Sequence, residues 1–509
     1  MKKKLFNPIY SAALFSVLLA TSCTKDFKEI NTNPNDSPSA LPQQLLAPAL
    51  VNAVTTTQLR NRNFNNELMQ ITVDMNDGEG RVFRYDFNAT WSDYLYNNLY
   101  SQLTNFKDVY KFASDTLIYN KSYMAISLIC QSWIYSILTD TYGDLPYSQS
   151  NLAKDSGILE PKFDRQKDIY MGIFSKLEQA NDLLASSPSN SIVTSSDPVY
   201  GGNLANWRKF GNSLYLRLLL RISGKAEVSQ MCADKIKDIV ETNASKYPII
   251  VNPTESAILR WTGSSLLISP YNSIREQDFR APAICSFFID HLTAWNDPRI
   301  SIPLGSNGIC RWGIAPASGN FIGVPSGYSP GTGAPKKAYF YSNTSATSLQ
   351  TEPMTGIMMT SAEVKFILCE AALKGWISGN AETYYNDGAL YSIQQWLPTW
   401  PTAPTTIVTY LTAGDIEWDN SLTTEEKMER IHLQKYYALF LSDLQQWFEY
   451  RRTGHPVLPM GSGLANNGVM PARMIYPVYV QSANPTNYQL AVAAQGPDLI
   501  STQVWWQKP

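Results

Sequence analysis

The chain is 509 residues long, enough to bury a large core, and only 17% of it is charged, against ~25% in ordinary soluble domains. Lys+Arg 41 against Asp+Glu 43 leaves a formal net charge of −2, so the chain lacks the basic field that a nucleic-acid binder needs. Neutral Asn, Ser, Thr and Gln must therefore cover the surface, among 29 Tyr and 13 Trp. That mixture suits an uncharged, hydroxyl-rich ligand, because ring faces stack on C–H groups while amides bond hydroxyls. For any single aromatic, burial in the core is the default.

The chain starts with a basic stretch, Lys2-Lys3-Lys4, followed by an apolar run from about Ile9 to Ala20 and the small residues Thr21 and Ser22 before Cys23. This is the order of a secretory signal over residues 1–22, and the run is shorter than the ~20 residues that cross a bilayer as a helix. Small residues directly before the cysteine resemble a bacterial lipobox. Cys23 is then the expected lipidated first residue of the mature chain. Residues 23–40, polar and carrying Asn-Thr-Asn-Pro-Asn, read as a flexible tether.

Residues 41–509 read as a single domain in which helical periodicity dominates. Tyr123, Ile126, Cys130, Trp133 and Ile137 recur at three- and four-residue steps within 117–138. Ile169, Ile173, Leu177, Ala180 and Leu184 do the same, as do Trp207, Gly211, Leu214, Leu218 and Ile222 within 203–223, and Val364, Ile367, Leu368, Ala371 and Ala372 later. One long helix is predicted from about Thr424 to Tyr450. Amphipathic helices joined by short loops predict a mainly α fold, a solenoid or bundle. Between about 246 and 361 Gly, Pro and Ser become frequent, with Trp261, Trp312, Tyr328, Tyr339 and Tyr341 among them. This is a long irregular insertion, and residues 461–509 are also loop-rich. Six cysteines show no metal-ligand spacing, although Cys285 and Cys310 could pair. The histidines His291, His432 and His455 lie far apart, so no metal centre or cofactor is expected.

Several segments stand out when taken in chain order. They are Cys23-Thr24-Lys25-Asp26-Phe27, Asp140 to Tyr147, Asp197 to Asn203 leading to Trp207 and Arg217, and Asn296-Asp297-Pro298-Arg299. Ser361-Ala362-Glu363 leads to Glu370, and Gln434-Lys435-Tyr436 precedes Trp447, Glu449 and Arg451-Arg452. Pro471, Arg473, Tyr476-Pro477 and Trp505-Trp506 complete the series. Together these segments resemble the SusD/RagB family of outer-membrane nutrient-binding lipoproteins, in its SusD-like starch-binding branch. The resemblance implies degenerate tetratricopeptide-type helix pairs forming an α-solenoid scaffold, with long loop insertions carrying the ligand site. It implies a partner as well, a SusC-type TonB-dependent β-barrel transporter in the outer membrane that the protein caps at the cell surface. Such pairs take up oligosaccharides or, in some members, peptides.

Two ligand surfaces are candidates. The first is the loop carrying Asn76, Asp77, Arg84 and Tyr85 up to Trp91, near the position where the best-known starch-binding member holds its aromatics. The second is Trp312, Tyr328 and Tyr341 in the insertion, where glycine-rich loops can bring ring faces over a groove. Asp74 to Gly80 departs from the EF-hand order, with Gly78 fifth and Glu79 where the glycine belongs. A polar turn is the expectation there, with a structural calcium ion as an open alternative. Asp140 and Asp144 read as a helix end rather than an acid/base pair, and Arg451-Arg452 as partners of nearby acids. The expectation is a binder with no chemistry of its own. The alternatives are a surface glycan hydrolase with paired carboxylates and a helical scaffold that binds only protein.

Overall fold

The computed structural model describes residues 40–188, 191–301, 303–304 and 308–508. Cys23, the signal and most of the tether lie outside them. Helices dominate, and several of them begin at a side-chain cap. Helix α1 covers Pro42–Arg60, α2 Trp91–Ala113 and α3 Lys121–Tyr142. The side chain of Asn120 caps α3 by accepting from Ser122 N at 2.9 Å and Tyr123 N at 3.2 Å. Gly143 ends it at φ 86°, a conformation in which only glycine is unstrained. Then follow α4 (Gln166–Ala185), α5 (Leu204–Ile222) and α6 (Ala226–Lys237). Each of α1 to α6 packs on the next in sequence. The buried positions of α4 include the predicted Ile169, Ile173, Leu177, Ala180 and Leu184, with Gln166, Tyr170, Phe174 and Asn181 beside them.

Helix α7 (Ser286–Ala294) lies inside the insertion, and α8 (Ser361–Leu373) closes it. Next come α9 (Ala381–Gln394), α10 (Pro404–Ala413), α11 (Thr424–Ala438) and α12 (Gln445–Thr453). Helix α8 packs on α9, α11 and α5, which joins the two halves of the scaffold. The expected single helix over 424–450 is corrected here, since it divides into α11 and α12. Between them Leu441 (φ 69°) and Asp443 (φ 31°) turn the chain. The turn lets Asn61 donate to Asp443 O at 2.7 Å and Asn65 to Gln446 Oε1 at 2.7 Å, so buried polar groups of the first helical segment are satisfied. The C-terminal stretch also holds two helices, α13 (Val478–Ala483) and α14 (Pro485–Gln495).

Strands are few and short. Among the described residues they form four antiparallel pairs: β1 (Thr72–Val73) with β3 (Ala283–Ile284), β2 (Ala257–Leu259) with β8 (Gly356–Met359), β4 (Pro303–Leu304) with β5 (Ile309–Cys310), and β6 (Ile314–Ala315) with β7 (Tyr339–Phe340). The pair β2–β8 joins the two ends of the insertion, with Ala257 opposite Met359. The pair β1–β3 sets the loop after β1 beside the insertion. Cys285 and Cys310 are both buried free thiols, so the open pairing is not made. No described helix is long and apolar enough to cross a membrane. All these elements belong to one compact unit, residues 42–509.

The scaffold is crossed by buried ion pairs. Arg217 of α5 grips Glu363 of α8 through Nε and Nη2, both at 2.6 Å, and Nη2 also donates to Met358 O at 2.9 Å. Arg221 meets Asp140 at 3.2 Å and Glu449 at 3.0 Å. Asp140 also accepts from Tyr170 Oη at 2.6 Å and Trp506 Nε1 at 2.9 Å. Arg299 is bidentate on Asp297, and Arg452 bridges Glu370 and Glu449. The segments that carry the family resemblance are therefore mostly the charged struts of the fold.

Candidate functional site

The loop after β1 contains a polar turn held by its own side chains. Asp74 Oδ1 accepts from Asn76 N at 3.0 Å, and Asn76 Oδ1 accepts from Gly78 N at 3.1 Å. Asp74 Oδ2 pairs with Arg81 at 2.8 Å. Asp77 accepts from Arg84 Nη2 and, at 2.8 Å, from Gly331 N. These bonds hold its carboxyl below the ordinary value, the amide of Gly331 contributing most and Arg84 next. Asp74 and Asp77, two of the acids that invited a calcium reading, are thus engaged by protein donors.

Of the predicted ligand residues here, Asn76 and Asp77 are exposed and Trp91 is half-buried, whereas Arg84 and Tyr85 are buried. The last two are corrected. Tyr85, 2% exposed, packs inward at φ 59°, where it terminates a short 3-10 turn. The Arg84 guanidinium is wholly occupied by loop contacts. Trp91 opens α2 and packs on Phe64, and the Arg60 guanidinium lies 4.6 Å from its ring centroid. One face of that ring is therefore already covered.

Trp312 requires a clearer correction, because it is fully buried. Its ring stacks on Phe288 (5.7 Å, 24°) and meets Phe440 at 4.9 Å and Trp396 at 5.9 Å. Arg299, already bidentate on Asp297, lies 5.0 Å from its centroid. A turn in which Gly313 N donates to Cys310 O at 2.9 Å directs the side chain inward. Tyr328 is half-buried against Phe83 at 5.2 Å. Tyr341 is half-buried too, and it borders a cavity.

That cavity has a volume of about 520 Å³, within the range of small-molecule sites. Tyr341, Phe321, Asn296, Thr293, Ser301 and Pro316 line it, with Leu292, Ile300, Ile309, Cys310 and Ile314 supplying aliphatic surface and a thiol. Among the described residues its lining holds no charged side chain, and so no carboxylate. Asn296 sits at φ 49° directly before the buried Asp297–Arg299 pair, which fixes its place at the end of α7. Sequence reasoning singled out Asn296 only as part of a motif, and it missed Phe321 and Thr293 altogether. The signal available was the Asn-Asp-Pro-Arg turn, whose last two charged residues anchor the first.

Catalytic and metal readings find no support in the charged clusters. Asp140 is buried under Arg221 and Asp144 pairs with Arg165 at 2.9 Å, so each has its own cation. Burial pushes the Asp140 carboxyl up, against the pull of Arg221. Glu370, His432 and Glu449 form the one described trio close enough to share a metal ion. Burial would raise Glu370 and Glu449, yet Arg452 together with His432 and Lys374 at the first, and with Lys435 and Arg221 at the second, holds both well below the ordinary value. Lys374 pairs with Glu370 and Lys435 with Glu449, so cations already balance the trio. It is a core ion-pair network.

His455 adds a pH-sensitive clamp on the segment after α12. Its Nδ1 meets Glu429 at 2.5 Å and its Nε2 meets Glu425 at 3.0 Å, while its ring stacks 6.2 Å from His432. The Glu429 hydrogen bond raises its pKa above the ordinary 6.5, with burial opposing. The stabilisation is therefore fully present below the unfolded value of 6.5 and is lost as pH rises through the raised folded value. We expect an NMR titration to place His455 above 6.5 and Glu429→Gln to bring it down. A midpoint at or below 6.5 in the unaltered protein would refute the clamp.

A SusD-like family profile, described as starch-binding and associating with the outer membrane, matches residues 34–477. Among solved structures, a SusD homologue from Bacteroides uniformis ATCC 8492 superposes with TM-score 0.74 at 24% identity, covering 91% of this chain and 99% of that one. A SusD homologue from Bacteroides fragilis NCTC 9343 gives 0.73 at 24% identity, over 92% of this chain and 100% of that one. A chitin-binding SusD homologue from Flavobacterium johnsoniae gives 0.75 at 20% identity, over 92% and 98%. No curated protein matches. These structures share the fold, and the profile spans the residues that line the cavity. On that evidence the chain belongs to the SusD-like family.

Proposed function

We propose that this protein is a cell-surface lipoprotein, anchored through Cys23, that binds a neutral oligosaccharide beside Tyr341 and passes it to a SusC-type TonB-dependent β-barrel. Residues 1–22 would be removed as the signal and 23–40 would tether the folded domain. Two or three acyl chains would hold it stably, at ~0.8 kcal/mol per buried CH₂. The observation that carries the binding half is the charge-free cavity. Tyr341 and Phe321 offer ring faces and Asn296 an amide, the donors and faces that a pyranose uses. A lining without a carboxylate suits capture and does not suit glycoside hydrolysis, which needs two. Tyr328 and the exposed Asn76–Asp77 turn form a second surface for a longer chain. The family's starch-binding description and the chitin-binding relative support the same ligand class.

Calorimetry of the purified protein against maltooligosaccharides, chitooligosaccharides and short peptides tests this reading. One neutral glycan class should bind without turnover, and Tyr341→Ala should weaken it about tenfold, ~1.4 kcal/mol. Binding of peptides alone, or release of shortened product, would overturn it.

A further inference from the structure

Arg84 connects three loops that are far apart in sequence, two of them through its guanidinium and the third through its backbone. Within its own loop, Nη2 bonds the Asp77 carboxylate, and Nη1 donates to Asp77 O at 3.3 Å and Gly78 O at 3.4 Å. Toward the insertion, Nε donates to Tyr328 O at 2.9 Å, and the charge lies 5.1 Å from the Tyr328 ring centroid. Asp77 completes the ring of bonds by accepting from Gly331 N at 2.8 Å. The backbone of Arg84 reaches the third loop, its carbonyl accepting from Ala465 N at 2.7 Å. That third loop is in turn laid against the second. Gly463 N donates to Gly327 O at 2.8 Å, and Ser329 and Ser462 share a hydroxyl bond at 3.0 Å. The approach is so close that a Cβ on Gly461 would lie 2.1 Å from Gly327 O, and one on Gly463 would lie 2.3 Å from Tyr328 O.

We propose that Arg84 is a positioning residue which fastens loops 76–86, 327–333 and 461–466 into one body that opens and closes as a unit and presents Tyr328 and the Asn76–Asp77 turn preformed. The side chain is only 6% exposed, so its donors have no water to fall back on. The planar fork of an arginine serves two loops at once, which a lysine's single ammonium cannot reproduce. What the unit is for rests on the glycan reading above; that it moves as a unit does not.

Amide hydrogen exchange on the full chain without ligand tests the unit directly. Arg84→Lys should speed exchange in all three loops by a similar factor, about tenfold, and leave α3 and α5 as they were. A residue that merely packs its own loop would loosen 76–86 alone, and that result overturns the proposal. Equal acceleration in α3 and α5 overturns it too, because Arg84 would then support the whole fold. Should Arg84→Lys fail to fold, Asp77→Ala breaks the clamp from its exposed end. Loops 76–86 and 327–333 should then exchange faster together, and an unchanged 327–333 would refute the clamp. Joint loosening without glycan binding by the unaltered protein would defeat the functional reading and leave the clamp standing.

Discussion

Arg217→Met is expected to destabilise the protein by about 3–5 kcal/mol, a large part of the stability of an ordinary domain. Glu363, 1% exposed, would be left as a buried carboxylate with its bidentate partner gone. Removing both charges, as Arg217→Met with Glu363→Leu, should recover part of that loss. The remaining cost comes from Met358 O, which loses the donor at 2.9 Å and is worth ~1–3 kcal/mol. Urea unfolding with an unchanged m-value measures both variants. A single-variant loss below about 1 kcal/mol would show that α5 and α8 do not depend on this strut.

Trp312→Ala should cost about 3–5 kcal/mol as well, for a different reason. A fully buried ring leaves a cavity bounded by Phe288, Trp396 and Phe440, and Arg299 loses the face it lies against. Trp312→Phe keeps much of that volume and should cost less while leaving glycan affinity unchanged. Thermal and urea unfolding measure the loss, and calorimetry the affinity. If Trp312→Ala kept its stability and lost only binding, the ring would be a ligand platform after all, and the cavity beside Tyr341 would not be the site.

These two residues show which parts of the molecule are legible in its sequence. Helical periods of three and four place the core face of α4, whereas α3 and the C-terminal part of α5 are buried on every side, so there the period marks a helix but not a face. The break between α11 and α12 is not visible that way. Leu439, Phe440, Leu444 and Trp447 continue the helical spacing, and 439–444 contains no glycine or proline. The turn arises from contacts with Asn61 and Asn65, nearly four hundred residues earlier. The aromatics of the insertion fail for a related reason. Glycine-rich surroundings announce loops around Trp312, Tyr328 and Tyr341, but not which face of each loop meets the scaffold. Long-range partners decide that: Phe288 and Arg299 draw Trp312 inward, and Tyr341 stays at a cavity edge. Arg84 reads from sequence as a ligand contact, and its partners at 328 and 465 make it a fastener.

The pairing of β2 with β8 has a consequence for how such a protein diversifies. Ala257 and Leu259 lie opposite Met359 and Gly356, so everything between them leaves and re-enters the scaffold through one narrow gate. Loop-closure entropy grows only slowly with length, each doubling adding ~0.6 kcal/mol. A change of length between 260 and 355 is therefore cheap in closure entropy where the chain is exposed. It is not cheap at Phe288, Asp297 and Trp312, which tie the segment to Tyr437, Tyr410 and Phe440 outside the gate.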